Sequence, residues 1–516
     1  MTYMENLQNQ IESTITRFMD LQKAAAGIST GTGLVFYDLE ARAKFQYPVL
    51  APIRQRMPRI GATNPMGGQG LAAHWNSITN PNQGSVPAEA VEGQSGALLT
   101  PTVTPKVAFY KLLALDGNVT WFAEWAGQGY EDVRSAQQRM SLDSMILAEE
   151  PRLLWGNSGT TGVGLNFGQP AQPTGVGNAT GGFMPTTANC YIAVAALTLQ
   201  GYQFAQAPAS GGGGGGVAAV SSYVKQNGDG TTLTIPGGVS QMSPISAAIT
   251  GVTSATSLAS ITASVTAVPG AAAYIWYVGS AANLNVCYFS AITTINKATL
   301  QYLNTSGQNA GQISATVDNS ANPYAFDGLI TQCISGGGYY ASYDGAPMHS
   351  DNAGGVTEIN TALKYLWDNF KISPTRIYAG SGTINSLTVI MLGNGSANTA
   401  LSYHVALDNT PGSVGNLVGA AYVGSYNNRF ALGARKPIPI EIHPNMPDGK
   451  IFLDLEINPY PTSNIPYARA VRTLRDYFQV LWPATSPNWR NSIFAAEMIQ
   501  CYTPYGLALV DNVANS

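Results

Sequence analysis

Between Thr160 and Ala325 the chain carries four charged residues, Lys225, Asp229, Lys297 and Asp318. A stretch so poor in charge cannot supply the solvated faces of a helical bundle, and Gly211 to Gly216 within it reads as a flexible joint. The remainder alternates in short pieces: Thr231-Thr-Leu-Thr-Ile, Ser260-Ile-Thr-Ala-Ser-Val-Thr-Ala-Val, Tyr274-Ile-Trp-Tyr-Val and Asn285-Val-Cys-Tyr-Phe-Ser. Short alternating strands with turn residues between them indicate a β-sandwich. The uncharged run Gly230 to Asn296 is rich in Gly, Ser and Thr and does not suit a membrane span. Charge and α/β character return on both sides, so residues 160–325 read as an inserted domain.

Upstream, residues 4–26 read as an amphipathic helix with Leu7, Ile11, Ile15 and Phe18 in register and Gly27 as its stop. An extended arm follows, with Pro48, Pro52, Pro58 and Pro65. Between Ala41 and Ile60 it carries Arg42, Lys44, Arg54, Arg56 and Arg59 and no acid. This is either a solvated basic strip or a contact for acidic neighbours or DNA. Residues 66–126 read as a long two-stranded excursion, with Asp116-Gly117 turning its last strands back. Such a hairpin cannot bury both faces on its own chain. Residues 130–154 read as one helix, begun by Glu131 and Asp132 where the dipole favours acids. Glu149 and Glu150 stand at the unfavourable end, so Arg152 or a neighbouring subunit is expected to answer them.

Downstream, Thr357 to Phe370 and Thr383 to Leu392 are expected helices and Arg376-Ile-Tyr-Ala-Gly a strand. Pro437 to His443 and Lys450 to Leu455 are expected strands joined through Pro447-Asp448-Gly449. Ala468 to Leu481 and Ser492 to Val510 are the expected last strands.

At 516 residues the chain exceeds one compact domain. Lys+Arg 25 against Asp+Glu 29 leaves a net charge of -4, which excludes a strongly basic nucleic-acid binder. Charged residues are 10% of the chain, so copies packed side by side repel one another little. Cys190, Cys287, Cys333 and Cys501 form no CxxC pair, and neither a zinc site nor a disulfide framework is expected. His74, His349, His404 and His443 are isolated from one another and from ligand-spaced carboxylates. Gly27-Ile-Ser29-Thr-Gly31 has the G-x-S-x-G form but lacks the strand before and helix after that a nucleophile elbow needs. No Walker-type loop occurs, and Asp454 and Glu456 alternate along one strand rather than forming a dyad. No catalytic, cofactor-binding or metal-binding residue is assigned. The opening Met1-Thr2-Tyr3-Met4-Glu5 lacks a basic n-region and apolar h-region, so no signal peptide is expected.

The order of these elements resembles the major capsid protein of tailed bacteriophages, whose fold is shared with encapsulin shells and the herpesvirus capsid floor. Glu89-Ala-Val-Glu92-Gly-Gln-Ser-Gly-Ala-Leu-Leu-Thr with the Lys106 to Glu124 strands is similar to that family's extended loop. Glu131 to Leu154, ending in Trp155-Gly156-Asn157, resembles its spine helix, and Phe326-Asp327-Gly328-Leu329 the phrase that follows it. Ser373-Pro-Thr-Arg-Ile-Tyr-Ala and Pro504-Tyr-Gly-Leu-Ala-Leu-Val are similar to its axial-domain step and last strands. Within the insertion, Val268-Pro-Gly-Ala-Ala-Ala-Tyr274-Ile-Trp276-Tyr277 looks like a fibronectin type III or immunoglobulin-like domain.

The resemblance implies an α+β capsid fold. Its parts are an N-terminal helix and arm (1–65), an extended loop (66–126), a spine helix (127–159), the inserted β-sandwich (160–325), an axial domain (326–435) and peripheral and C-terminal strands (436–516). It implies self-assembly into hexamers and pentamers of an icosahedral shell, in the virion, built in the host bacterial cytoplasm. Implied partners are further copies, a portal, decoration or scaffolding proteins, and double-stranded DNA held without sequence preference; no membrane is involved. Arg54, Arg56, Arg59, Glu89, Glu92, Lys106, Lys111, Arg469 and Arg472 are the candidate inter-subunit contacts. In some relatives a loop lysine forms an isopeptide bond with a neighbour's asparagine. Here Lys106 and Lys111 lie on strands rather than at the tip, only Asn488 and Asn491 are placed to receive them, and no glutamate is assigned as helper. An uncross-linked shell is expected. An encapsulin-like compartment, a β-rich surface adhesin and a hydrolase resting on Ser29 are the alternatives.

Overall fold

The computed structural model describes residues 3–23, 44–61, 70–80, 89–98, 101–160, 164–178, 189–206, 220–250, 260–280, 283–296, 311, 313–393, 423–431, 437–460, 462–484 and 486–515. Gly211 to Gly216, the Ser29 motif, Arg42, Lys297 and His404 lie outside them.

In chain order the helices are α1 (Tyr3–Lys23), α2 (Pro52–Arg56), α3 (Trp121–Ala126), α4 (Val133–Trp155), α5 (Leu199–Gln206), α6 (Leu329–Ser335), α7 (Thr357–Phe370) and α8 (Ser381–Gly393). The strands of the first half are β1 (Arg59–Ile60), β2 (Ala72–Asn80), β3 (Thr102–Phe109), β4 (Lys111–Thr120), β5 (Thr174–Asn178), β6 (Tyr191–Leu197), β7 (Ser222–Gln226), β8 (Thr232–Pro236), β9 (Ser260–Ser264) and β10 (Ala273–Ser280). Those of the second are β11 (Asn283–Ser290), β12 (Thr294–Asn296), β13 (Tyr339–Ser342), β14 (Arg376–Ala379), β15 (Ser425–Asn427), β16 (Pro437–Ile442), β17 (Ile451–Asp454), β18 (Arg469–Leu481), β19 (Asn488–Cys501) and β20 (Ala508–Asp511). The architecture is α+β, as expected.

Two units separate by contact: Met1–Pro48 with Trp121–Ala136, and Val49–Thr120 with Gln137–Ser516. In the first, Ile11 and Ile15 of α1 are exposed. The Asp132 carboxylate caps α4 by accepting from the N–H groups of Arg134 at 3.1 Å and Ser135 at 3.2 Å.

In the second unit one sheet runs β1-β18-β19-β4 and another β13-β20-β17-β14-β16-β15. The six-stranded sheet draws β16, β17 and β20 from beyond residue 435, so the expected boundary there passes through one sheet. The expected last strand also divides. It breaks after Cys501 at a single 3-10 turn, Pro504–Gly506, because β19 and β20 serve different sheets. Ile359, Leu363 and Leu366 of α7 pack with Ile377, Leu453 and Val510 beneath them.

Asp116-Gly117 is not a turn. β4 continues through it against β19, pairing Asp116 with Ser492 and Gly117 with Asn491. Glycine is required there for another reason. An added Cβ would lie 2.6 Å from both the Asn491 and Gln137 side chains and 2.9 Å from Ser141 Oγ, so its absence lets α4 approach the strand. The following Trp121–Ala126 segment is helical rather than extended.

Two three-stranded sheets in this stretch, β11-β10-β6 and β12-β9-β5, share a core of Ile192, Val194, Trp276, Ile261 and Ile295. The opposite face of β6 and β10 is buried too, with Ala195, Ile275 and Tyr277 packed on Val239 and Met242. Burial on both faces explains the unbroken apolar run Ala271 to Val278. The outer edge of β6 is covered by a polar strap. Ser240, Ser243 and Ser246 accept from the N–H groups of Ala196, Val194 and Ile192 at 2.8, 2.9 and 3.0 Å. Their own N–H groups return bonds to the same three carbonyls, so no ladder groups of that edge are left open.

Candidate assembly surfaces and the clasp behind them

The acids at the end of α4 anchor the arm. Helix α2 has no side-chain cap of its own. Instead the buried Glu150 carboxylate accepts from the N–H groups of Ile53 at 2.8 Å and Arg54 at 2.9 Å. His443 Nδ1 accepts from Asn445 N–H at 3.1 Å, so its Nε2 carries the proton and donates to Glu150 Oε1 at 2.8 Å. Glu149, equally buried, takes Arg59 Nη1 at 2.8 Å, Arg54 Nε at 3.5 Å and the Tyr477 hydroxyl. Arg59 also pairs with Glu497 at 2.7 Å and Asp476 at 2.9 Å, its guanidinium 4.7 Å from the Tyr477 ring centre.

The arm's third arginine, Arg56, chelates Glu441 and donates to the Tyr378 hydroxyl at 3.2 Å. Glu441 is shared with Arg376, which also reaches Glu456 at 3.2 Å. Although burial opposes it, these cations hold the Glu441 carboxyl below the usual range. Glu497 goes the other way. Burial first, then the neighbouring Glu149 charge, push it up to about 8 against the pull of Arg59. Its Oε1 is buried with no hydrogen-bond partner among the described residues, which suits a carboxyl that keeps its proton.

Three expectations are thereby corrected. Arg54, Arg56 and Arg59 are not a merely solvated strip, because acids of their own chain pair with them. Glu149 and Glu150 are answered by the arm, not by Arg152 or another subunit; Arg152 donates to the Ala148 carbonyl of its own helix. Arg469 is 1% exposed and forked onto Asp454, with Nε 2.8 Å from Oδ1, so it has no surface to offer a second copy. Arg472 is engaged internally by the Tyr110 hydroxyl at 3.0 Å and Gln500 at 3.3 Å. Lys111 donates to the Pro323 carbonyl at 2.7 Å.

The remaining candidates stand on the hairpin. β2 and β3 form a two-stranded sheet in which Trp75 opposes Lys106. Glu89 and Glu92 are exposed in the loop beyond it. Large apolar side chains on and beside the hairpin face water: Leu71 is 82% exposed, Ile78 70%, Val91 69% and Leu98 89%. Among the described residues no group of three or more His, Cys, Asp or Glu is placed to hold a metal, and no helix is long and apolar enough to cross a membrane.

Sequence reasoning missed Glu497, Tyr477 and His443 as parts of the clasp. A signal for it existed: an acid-free basic arm and an acidic pair at the wrong helix end are complementary surpluses.

No sequence-family description matches the chain, and no curated protein does. Solved structures similar to it include the holo-SrpI encapsulin complex from Synechococcus elongatus PCC 7942, at 9% identity over 95% of this chain and 97% of that one, with a TM-score of 0.35. The capsid of a native GTA particle is 9% identical over 95% and 100%, with a TM-score of 0.38. The cyanophage A-1(L) capsid is 9% identical over 93% and 98%, with a TM-score of 0.38.

Proposed function

We propose that the chain is the structural, non-enzymatic subunit of a viral shell, assembling in hexamers and pentamers around double-stranded DNA. The observation that carries this reading is the β2–β3 hairpin. It is two strands wide, it displays apolar side chains to water, and a sheet so narrow needs a third partner to be stable. The exposed Ile11 and Ile15 of α1 are a second surface of the same kind. Weak apolar contacts of this sort become a stable shell when repeated over many copies.

The clasp contributes by fixing the root of the arm, residues 52–60, through hydrogen bonds and ion pairs within the chain. Enclosed DNA would be held without specific readout, since Arg54, Arg56 and Arg59 are neutralised within the chain. A portal and scaffolding or decoration proteins are further partners of this reading, and its location is the virion, after assembly in the bacterial cytoplasm.

Concentrated protein should form capsomers, tubes or shells, seen by light scattering and negative-stain microscopy. A monodisperse monomer at every salt concentration would overturn the proposal. Particles enclosing protein cargo and no nucleic acid would favour an encapsulin-like compartment instead.

A further inference from the structure

Where the end of α4 meets the first turn of α5 lies a cavity of about 130 Å³, with Arg152, Trp155, Gln200 and Phe204 in its wall. Its charge is one-sided, for Arg152 lines it and no carboxylate does. Arg152 spends one N–H on the Ala148 carbonyl and makes no ion pair among the described residues. Its other guanidinium N–H groups have no acceptor there either, and none of them is sealed away from surface. Burial lowers its affinity for a proton, opposed by Glu497 alone, a carboxyl that keeps its own proton. A charge drawn out of water without a counterion is costly, so a guanidinium held this way calls for an anion.

The backbone around the cavity calls for the same. Leu199 and Gln200, the first residues of α5, both stand in the wall. The Thr198 hydroxyl accepts from the Gly201 N–H at 3.2 Å, whereas the N–H groups of Leu199 and Gln200 have no acceptor among the described residues. Open N–H groups at the positive end of a helix favour negative charge. Gln200 Oε1 accepts from Asn322 Nδ2 at 3.3 Å, which leaves the Gln200 amide nitrogen free to donate. The carbonyls that close α4 are already occupied. That of Arg152 takes the Gly156 N–H at 2.9 Å, and that of Gly156 takes the Gly328 N–H at 2.8 Å and the Thr331 hydroxyl at 2.7 Å.

Size narrows the guest. A water fills only a fraction of this space, and a cavity of about 150 Å³ takes a molecule as large as benzene. A planar guanidinium matches two oxygens of one ligand. We propose that the cavity binds one small oxyanion, a phosphate or a short carboxylate, held by Arg152, the Gln200 amide and the open N–H groups of α5. The anion ties α5 to the end of α4 and stabilises the folded chain whether or not copies assemble.

The test is equilibrium dialysis of the full-length protein against radiolabelled inorganic phosphate and, separately, acetate, at one ionic strength fixed with chloride. One equivalent per chain should be retained, and the anion retained more tightly identifies the ligand. The occupied chain should melt at a higher temperature, as mass action requires. R152M should weaken retention at least about tenfold, the scale of a lost charge pair. Without ligand it should melt no lower than the ordinary chain, because it removes an uncompensated cation. Q200E keeps the oxygen that meets Asn322 and supplies the missing charge from within; it should abolish retention while the ligand-free chain melts higher. Failure to retain either anion, or retention that R152M and Q200E leave unchanged, overturns the proposal.

Discussion

Ser158 and Asp327 stand 169 positions apart in the chain and touch: the Ser158 N–H donates to Asp327 Oδ1 at 2.8 Å and its hydroxyl to Oδ2 at 2.9 Å. Beside them the Gly328 N–H donates to the Gly156 carbonyl at 2.8 Å, and an added Cβ on Gly156 would lie 2.2 Å from the Phe326 carbonyl. The low-charge segment therefore leaves and re-enters the body at a single closed seam.

Cutting that seam has a defined cost. S158A leaves Asp327 Oδ2 buried without its donor and should destabilise the chain by about 1–3 kcal/mol in urea unfolding. S158T, which keeps the hydroxyl, should recover most of the loss.

Replacing residues 165–322 with a short Gly/Ser linker should leave a folded, assembly-competent chain, since the seam already holds the two ends together. Its melting temperature should fall, because Leu199 and Ala272 of the insertion contribute to the principal core. An insoluble product would show that the insertion is part of the body's folding unit.

The clasp predicts a local effect. E149A removes the buried acid that Arg54 and Arg59 share, leaving Arg59 with Asp476 and Glu497, and should cost about 3 kcal/mol, the lower end for a broken buried pair because both arginines keep some exposure. Hydrogen exchange at residues 52–60 should accelerate most, while α7 remains protected.

Glu497 gives stability a pH dependence. The folded chain keeps its proton up to about 8, against 4.5 for an unperturbed glutamate, so the folded state binds more protons in that window. Its contribution is full below about 4.5 and is lost as pH rises through about 8. Urea midpoints should fall across this range, and E497Q should flatten the slope. A slope unchanged by the substitution would place the titration elsewhere.

Assembled shells boiled in detergent should run as one band near 54.2 kDa. Asn491 is 7% exposed and sits in the β19–β4 ladder, where a lysine of another copy has no route to it. A ladder of covalent oligomers would refute this.

Local pattern was enough for elements whose partners are close in sequence. α7 shows its apolar stripe in the order of its residues, and β10 its apolar run, because each needs only a greasy surface to pack on. The charge gap marked residues 160–325 as a stretch that must be largely buried or glycine-rich, since four charges cannot solvate 166 residues.

Long-range pairing decided the rest. Asp116-Gly117 carries a turn signal, yet β19 supplies a full ladder that outweighs local turn preference and threads the pair through a strand. Arg54, Arg56, Arg59 and Arg469 read as surface cations because no acid stands near them in sequence. The fold brings Glu149, Glu441, Asp476 and Asp454 to them, and a charge leaves water only when its counterion is already in place. That complementarity belongs to the tertiary structure, for it joins residues that no local rule connects.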